Sequence, residues 1–238
     1  WIMQFNGFLY ITRRWEEDKD RLSRTLDYLV ALGRRTQLLI FPEGTDLTPS
    51  SREKSNRYAA KNNLEPYKYT LHPKTTGFSY LVNHLQKSAY LDAVYDLTIG
   101  YPDYTPQSEV DLLRGKMPSE VHFHVERIPK SQIPVSDDDL RKWLEKRWKQ
   151  KEAMLKDFTV DKCFRVKPWC FSRTLTLGIA FIFWTSLIVA ALIMIITSSW
   201  FRVWTTVHAA FFVGLSIFSS GFNQLEIGYY WRWVGGRA

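Results

Sequence analysis

The sequence predicts an α/β domain, built as an open sheet with flanking helices, followed by a two-helix transmembrane hairpin. Three observations support this prediction. The apolar run Leu38–Phe41 ends at Pro42, which is typical of a short buried strand, and a helix start follows it. Residues 120–128 alternate apolar and polar side chains, as a strand with one solvated face does. Residues 174–197 carry no charge and are long enough to cross the hydrocarbon core of a bilayer.

The amino-terminal part of the chain predicts a strand and then a helix. Residues 1–11 are apolar and lack the basic start and small-residue cleavage site of a signal peptide, so they are typical of an internal segment of a longer protein. Acidic residues at 16–18 suit the positive end of a helix dipole, and Gly33 suits the helix end. An apolar stripe with helical spacing predicts core packing for Leu22, Leu26, Leu29 and Val30.

The chain is organised around residues 37–48, which follow the pattern of strand, turn and helix start. Glu43 and Gly44 come after Pro42 at the carboxyl end of the predicted strand, which is the edge of an open α/β sheet where ligands bind. A glycine there lets the backbone approach a ligand closely. With Thr48 as helix cap, the strand end, turn and helix start together predict an anion site. From spacing alone, a β-to-α connection with a surface Glu is the alternative interpretation.

Further elements follow in order along the chain. Residues 67–71 alternate as a strand, and a helix is predicted to start near Thr75. A mostly buried strand at 92–101 and a polar loop at 102–118 precede the alternating strand described above. The helix predicted after Ser136 begins with three aspartates and has one apolar and one basic face. Its basic face suits an anionic bilayer or solvent equally.

Composition and single residues narrow the range of partners. The formal net charge of +8 admits nucleic acid or an anionic membrane, and the apolar carboxyl-terminal third favours the membrane. His122 and His124 share one strand face, but a half-solvated sheet is favoured over a metal site because no acidic or cysteine cluster accompanies them. Cys163 and Cys170 have neither CxxC nor zinc spacing and are predicted to be unpaired thiols. We therefore predict no metal ion and no nucleic-acid partner.

The carboxyl-terminal third predicts a membrane anchor. A basic neck at 159–173 leads into a transmembrane helix at 174–197, and a second, weaker one follows at 203–222. Ser198–Arg202 between them is expected to form a tight loop. The tail at 223–238 is aromatic and basic, as membrane-interface segments are. Because the neck and the tail outweigh the loop in positive charge, both ends of the anchor are predicted to be cytosolic.

Three short motifs resemble signature blocks of the glycerolipid acyltransferases and occur in the same order. Residues 41–45, FPEGT, resemble the third block, although most members have Arg where this chain has Asp46. The branch that resembles lysocardiolipin and lysophosphatidylinositol acyltransferases has Asp there as well. Gly7 and Arg13 match the second block, and Pro73 matches the fourth.

The resemblance covers residues 1–158, implies an acyltransferase-like α/β domain and suggests how the acceptor is bound. Arg13 would contact the acceptor phosphate, because guanidinium binds phosphate through paired N–H groups. Asp46 weakens the phosphate contact that the usual Arg makes, so Arg13, Arg14 and Lys74 are alternatives for that contact. The implied substrate-binding residues are Gly7, Arg13, Glu43, Gly44, Thr45, Asp46, Pro73 and Lys74.

Catalysis in this family depends on a first block of His, four residues and Asp, which supplies the base. No histidine of this chain has an Asp five positions later, so no catalytic residue is assigned. The family order places that block before Trp1, and we expect this chain to be a carboxyl-terminal portion of an acyltransferase. Glu43 and Gly44 would shape the acceptor site, and Pro73 would shape the acyl pocket.

The resemblance implies an acyl-CoA-dependent O-acyltransferase that remodels phospholipids. It would be a multi-pass protein of the endoplasmic reticulum membrane with a cytosolic catalytic domain. The implied acceptor is a lysophospholipid of the lysophosphatidylinositol or lysocardiolipin type. Acyl-CoA would be a co-substrate, and no cofactor is expected to be bound. The alternative is a catalytically incomplete acyltransferase-like membrane protein that binds anionic phospholipid.

Overall fold

The computed structural model describes residues 9, 14–105, 108–166, 174–218 and 222–233. The chain divides into two compact units: residues 29–168, here called the α/β unit, and residues 1–28 with 169–238, here called the helical unit. In chain order the elements are α1 (Trp15–Leu32), α2 (Pro49–Lys61), α3 (Thr75–Lys87), β1 (Ala93–Gly100), α4 (Glu109–Leu113), β2 (His122–Pro129), a 3₁₀ turn (Lys130–Gln132), α5 (Asp137–Asp161), α6 (Thr174–Thr197), α7 (Ser199–Phe218) and α8 (Phe222–Trp233).

Helices α2 and α5 start where the sequence provides side-chain caps. The hydroxyl of Thr48 accepts a hydrogen bond from the Ser51 amide at 3.1 Å, and the Ser51 hydroxyl accepts one from the Thr48 amide at 2.8 Å. The Ser136 hydroxyl accepts from the Asp139 amide at 3.1 Å. These bonds satisfy amides that the first turn of a helix leaves without a backbone partner.

The strands β1 and β2 pair antiparallel, with Leu97 opposite Val125. The strands predicted at 92–101 and 120–128, and the alternation of the second, are therefore confirmed, but the prediction that the first is mostly buried is wrong, because only the polar face of the sheet meets α5. Its acidic residues Asp96 and Glu126 bind Arg147 of that helix. The apolar side chains of the opposite face are exposed: Tyr95, Leu97, Ile99, Phe123 and Val125.

The core of the α/β unit lies mainly between α3, α5 and the end of β2. The ring of Phe158 packs closely on Gly100, where a Cβ would lie only 2.7 Å from it. The polar sides of α3 and α5 face away from this cluster. The buried cluster consists of Tyr67, Phe78, Val82, Ile128, Ile133, Leu140, Leu144 and Trp148.

The prediction of a buried strand at Leu38–Phe41 is wrong. This segment is irregular, and Leu39 and Phe41 are 76 % and 72 % exposed. A strand requires a neighbour with which to exchange backbone hydrogen bonds, and none of the described residues pairs with this segment. The open sheet is not observed either, since the sheet among the described residues has two strands.

Two other predicted segments also differ from the structure. Residues 67–71 do not form a strand, because the amides of residues 68–70 bind a side chain of α5, as described below. The loop predicted at 102–118 contains the short helix α4. The strand predicted at residues 1–11 lies, except for Leu9, outside the described residues.

The helical unit contains an apolar helix that fits a membrane anchor. Within α6, Leu175–Thr197 is long and apolar enough to cross a bilayer, and among the described residues it alone meets this criterion. The prediction of a tight loop at Ser198–Arg202 is wrong. Helix α7 already begins at Ser199, and the Arg202 side chain donates to the carbonyls of Ile195 and Ile196. The second spanning helix, and with it the transmembrane hairpin, stays a prediction.

Candidate functional site

The turn at Gly44 holds the predicted site residues of the α/β unit close together. The Gly44 amide donates to the carbonyl of Phe41 at 2.9 Å, and Gly44 has a φ of +71°, a conformation that glycine adopts without strain. The Lys74 amide donates to the carbonyl of Pro42 at 2.8 Å. These two bonds place the segment around Lys74 against the turn.

The side chain of Lys74 lies directly over Gly44. A Cβ at position 44 would be 3.0 Å from the Lys74 Nζ and 3.3 Å from two of its methylene carbons. The absence of a side chain at Gly44 therefore makes room for the Lys74 side chain. Lys74 is exposed, whereas the neighbouring Pro73 is buried. The ammonium group of Lys74 is thus exposed to solvent at a turn that backbone hydrogen bonds hold in place.

The Glu43 carboxylate is half-buried and held by two neutral donors. One oxygen accepts from the Leu71 amide at 3.1 Å, and the other accepts from the indole nitrogen of Trp148 at 3.2 Å. Burial raises the pKa of Glu43, while these two hydrogen bonds and the charge of Lys151 lower it and the charge of Glu152 raises it further. Its position is consequently defined from two sides.

The segment that supplies the Leu71 amide is bound by Glu152 of α5. The Lys68 amide donates to one carboxylate oxygen at 2.7 Å. The Tyr69 and Thr70 amides donate to the other at 3.0 and 2.9 Å, and the Thr70 hydroxyl donates to it at 3.1 Å. A carboxylate bound in this way replaces the partner that a strand would provide, which explains why residues 67–71 are not a strand.

The remaining residues of the motif form the connection to α2. The Thr45 hydroxyl donates to Asp46 Oδ1 at 2.9 Å, and the Asp46 carbonyl accepts from the Ser51 hydroxyl at 2.7 Å. Thr48 and Ser51 already cap α2 reciprocally. The first turn of that helix therefore has fewer free amides to bind an anion than the sequence predicted. The cation at this turn is instead Lys74.

The other predicted contacts to the acceptor lie elsewhere or outside the described residues. Gly7 and Arg13 lie outside the described residues. Arg14 belongs to the helical unit, is exposed and pairs with Glu17 at 3.0 Å. His72 stacks on Tyr67 with ring centroids 4.0 Å apart, which is a packing role.

An ionic cluster beside the site was missed from the sequence. Lys151 binds Asp96, the Leu97 carbonyl at 2.6 Å and the Thr98 hydroxyl at 2.9 Å. Arg147 donates to Asp96 at 2.8 Å and also binds Glu126. These groups line a cavity of about 350 Å³ on the polar face of the sheet. The spacing of Arg147 and Lys151 could have indicated that they share one face of α5, but it could not have identified their partners on the strands.

Comparisons with known proteins show that the chain is similar to acyltransferases. A family model described as acyltransferase C-terminus matches residues 111–184. The chain is 38 % identical to mouse lysocardiolipin acyltransferase 1 over 239 residues, which cover 97 % of this chain and 64 % of that protein. It is 43 % identical over 152 residues to lysophosphatidylinositol acyltransferase 10 of Caenorhabditis elegans, which cover 63 % of this chain and 41 % of that protein. No solved structure matches the chain.

A more distant relative is also named as a lysophosphatidylinositol acyltransferase. The chain is 28 % identical to the 2-acyl-1-lysophosphatidylinositol acyltransferase of Saccharomyces cerevisiae over 208 residues, which cover 70 % of this chain and 52 % of that protein. The chain spans between 41 % and 64 % of the length of these relatives. On these matches and its motifs, the chain is similar to the lysocardiolipin and lysophosphatidylinositol acyltransferases, and it carries an acyltransferase C-terminus region.

Proposed function

We propose that the full-length protein is an acyl-CoA-dependent acyltransferase that acts on a lysophospholipid of the lysophosphatidylinositol or lysocardiolipin type. The acceptor hydroxyl oxygen attacks the carbonyl carbon of the thioester, an ester bond forms, and the carbon–sulfur bond breaks. Coenzyme A leaves as the thiol, which takes up the proton lost by the acceptor hydroxyl. A His oriented by an Asp, as the resemblance implies, would remove this proton.

The single observation that carries the proposal is the ammonium group of Lys74 over Gly44. Its Nζ lies at the turn of the acyltransferase motif, and among the described residues no carboxylate forms an ion pair with it. A phosphate is the natural partner of such a cation, because a charge-assisted hydrogen bond is about twice as strong as a neutral one. Lys74 thereby takes the place that most of the family fills with Arg at the position of Asp46.

Glu43 complements this cation as an acceptor for hydroxyl groups. An ionised carboxylate offers about four acceptor positions, and the Leu71 amide and the Trp148 indole occupy two of them. The remaining positions suit hydroxyls of a glycerol or inositol group next to the phosphate. Pro73, buried beside Lys74, is proposed to shape the pocket for the acyl chain.

The membrane setting is proposed from the composition of the helical unit. Helix α6 supplies one span, and α7 is proposed to supply a second, so that both ends of the anchor face the cytosol. Such an anchor would keep the α/β unit beside the lipid acceptor at the endoplasmic reticulum, where acyl-CoA is also available.

The proposal is tested with the full-length protein in lipid nanodiscs, with oleoyl-CoA and a panel of lysolipids. We expect transfer to lysophosphatidylinositol or a lysocardiolipin, detected by mass spectrometry, and weaker transfer to lysophosphatidylcholine. Binding of anionic lysolipid without transfer to any acceptor would overturn the proposal and favour the non-catalytic alternative.

The role of Lys74 is tested by Lys74→Gln, with Lys68→Gln as the matched control. Lys68 is also exposed and lies over the ring of Tyr69, 5.3 Å from its centroid. We expect Lys74→Gln to raise the KM for the acceptor about tenfold or more, because one charge-assisted hydrogen bond contributes roughly 1.5–3 kcal/mol. An equal effect of both variants on KM would contradict this role.

A further inference from the structure

Helix α5 reaches the Glu43 carboxylate both directly and through a loop. Trp148 donates its indole N–H to one oxygen of Glu43, and Glu152 binds the amides of residues 68–70, which precede the Leu71 amide at the other oxygen. Trp148 and Glu152 are four residues apart and therefore lie on one face of α5. Both donors to Glu43 thus depend on the same helical face.

From this arrangement we propose that Trp148 and Glu152 are positioning residues for the acceptor site, which hold Glu43 in its binding orientation. The proposal rests on the acyltransferase function proposed above and gives it a further component. Helix α5 lies within the region that matches the acyltransferase C-terminus model, whereas Glu43 lies outside it. The carboxyl-terminal region would therefore contribute to the acceptor site without contacting the acceptor.

The indole of Trp148 is suited to this role because its own position is fixed. Trp148 is buried in the core cluster with Leu144 and Ile128. The Lys151 ammonium lies over its ring, 5.3 Å from the centroid, and is itself bound by Asp96 of β1. An indole has a single N–H donor, so a fixed ring gives a fixed donor direction.

Glu152 fixes the second donor through the backbone. Its two oxygens accept hydrogen bonds from four donors, the amides of Lys68, Tyr69 and Thr70 and the Thr70 hydroxyl. Since Leu71 is the next residue, the orientation of its amide is set by the bound segment before it. Without Glu152, the amides of this segment would have to find water or another acceptor, and the Leu71 amide would be free to turn away from Glu43.

The first test is Trp148→Phe, which keeps an aromatic ring in the core and removes the N–H donor. Trp143→Phe on the same helix is the matched control, because Trp143 stacks on Phe78 instead. In the full-length protein we expect Trp148→Phe to raise the acceptor KM roughly three- to tenfold, the range of one hydrogen bond, with a smaller change in kcat. Equal changes in both variants would overturn the proposal.

The pH profile separates positioning from loss of packing. The charged groups acting on Glu43 are Lys151 and Glu152, both on α5, and the Trp148 N–H favours the ionised carboxylate. Removal of the Trp148 N–H raises the pKa of Glu43 further. The acidic limb of the pH profile of kcat/KM for the acceptor should therefore move to higher pH in Trp148→Phe, but not in Trp143→Phe. An unmoved acidic limb would contradict the proposal.

The second test, Glu152→Gln, is read by hydrogen exchange and does not depend on activity. A glutamine can accept with one end only, so part of the amide set at residues 68–70 loses its partner. We expect exchange of residues 68–71 to accelerate several-fold, while Glu145→Gln, at an exposed position on α5, leaves it unchanged.

The two readouts distinguish the possible failures. If the wild-type protein transfers no acyl chain while Glu152→Gln accelerates exchange, the proposed function fails and the structural link from α5 to the loop stands. If transfer occurs but neither the pH profile nor exchange responds to the variants, the positioning role is wrong.

Discussion

Two charged regions beside α5 differ in how their charges are balanced. In the ionic cluster, Lys151 and Arg147 bind the carboxylates of Asp96 and Glu126 and bury most of their charge. At the Gly44 turn, the Glu43 carboxylate has neutral donors, and the Lys74 ammonium is exposed. Charges that are matched within the protein hold elements together, and those without a matched partner can bind the charges of a ligand. The first region should therefore determine stability and the second should determine acceptor binding.

Breaking the ionic cluster gives the largest expected change. Asp96→Asn leaves the buried Lys151 and Arg147 with too little negative charge and should cost about 3 kcal/mol of unfolding free energy. The Asp96 side chain is 12 % exposed. Asp92→Asn is the control, because Asp92 is 85 % exposed and its pair with Arg127 should contribute less than about 1 kcal/mol. Thermal unfolding of the full-length protein in detergent measures both, and equal losses would contradict the distinction.

A methyl group at the turn tests the link between Gly44 and Lys74. Gly44→Ala and Gly33→Ala both force a positive φ on alanine, which should cost each about 1–2 kcal/mol of stability. Only at Gly44 does the new Cβ meet Lys74, at 3.0 Å, since nothing lies within 4 Å at Gly33. We expect an increased acceptor KM for Gly44→Ala alone, measured by acyl transfer. A similar KM for the two variants would show that Lys74 can shift without consequence.

The raised pKa of Glu43 predicts the smallest effect, a dependence of stability on pH. Because the folded state binds the proton more tightly than the unfolded state, the wild type loses stability as the pH rises through the raised pKa of Glu43. Glu43→Gln lacks this loss. Its stability relative to wild type should therefore be greater at pH 7 than near pH 4, in melting curves across that range. A constant difference between the two proteins would show that burial does not disfavour the Glu43 charge.

Local sequence signals predicted the elements whose partners are close along the chain. The acidic starts and caps of α1 and α5 and the alternation of residues 120–128 all match the structure. Each depends on contacts within one helix or between two strands that follow closely in sequence. The apolar composition of α6 was likewise sufficient to identify it as a candidate span.

The errors concern segments that depend on distant partners. Residues 67–71 alternate like a strand, but Glu152, more than eighty residues away, binds the amides of residues 68–70. Leu38–Phe41 looks like a buried strand, yet nothing among the described residues pairs with it. For the candidate site, the motifs identified Glu43, Gly44, Pro73 and Lys74. Trp148 carries no local signal, because its indole meets Glu43, 105 residues away in sequence, only in the folded chain.

The position of the acceptor headgroup is tested most directly by photo-crosslinking. The full-length protein in nanodiscs is labelled with lysophosphatidylinositol that carries a diazirine on the inositol ring, and the labelled peptides are identified by mass spectrometry. Binding at the Gly44 turn predicts labels on residues 41–46 and 71–75, removed by excess lysophosphatidylinositol and strongly reduced in Lys74→Gln. Competable labelling that avoids both segments and is unchanged in Lys74→Gln would contradict it.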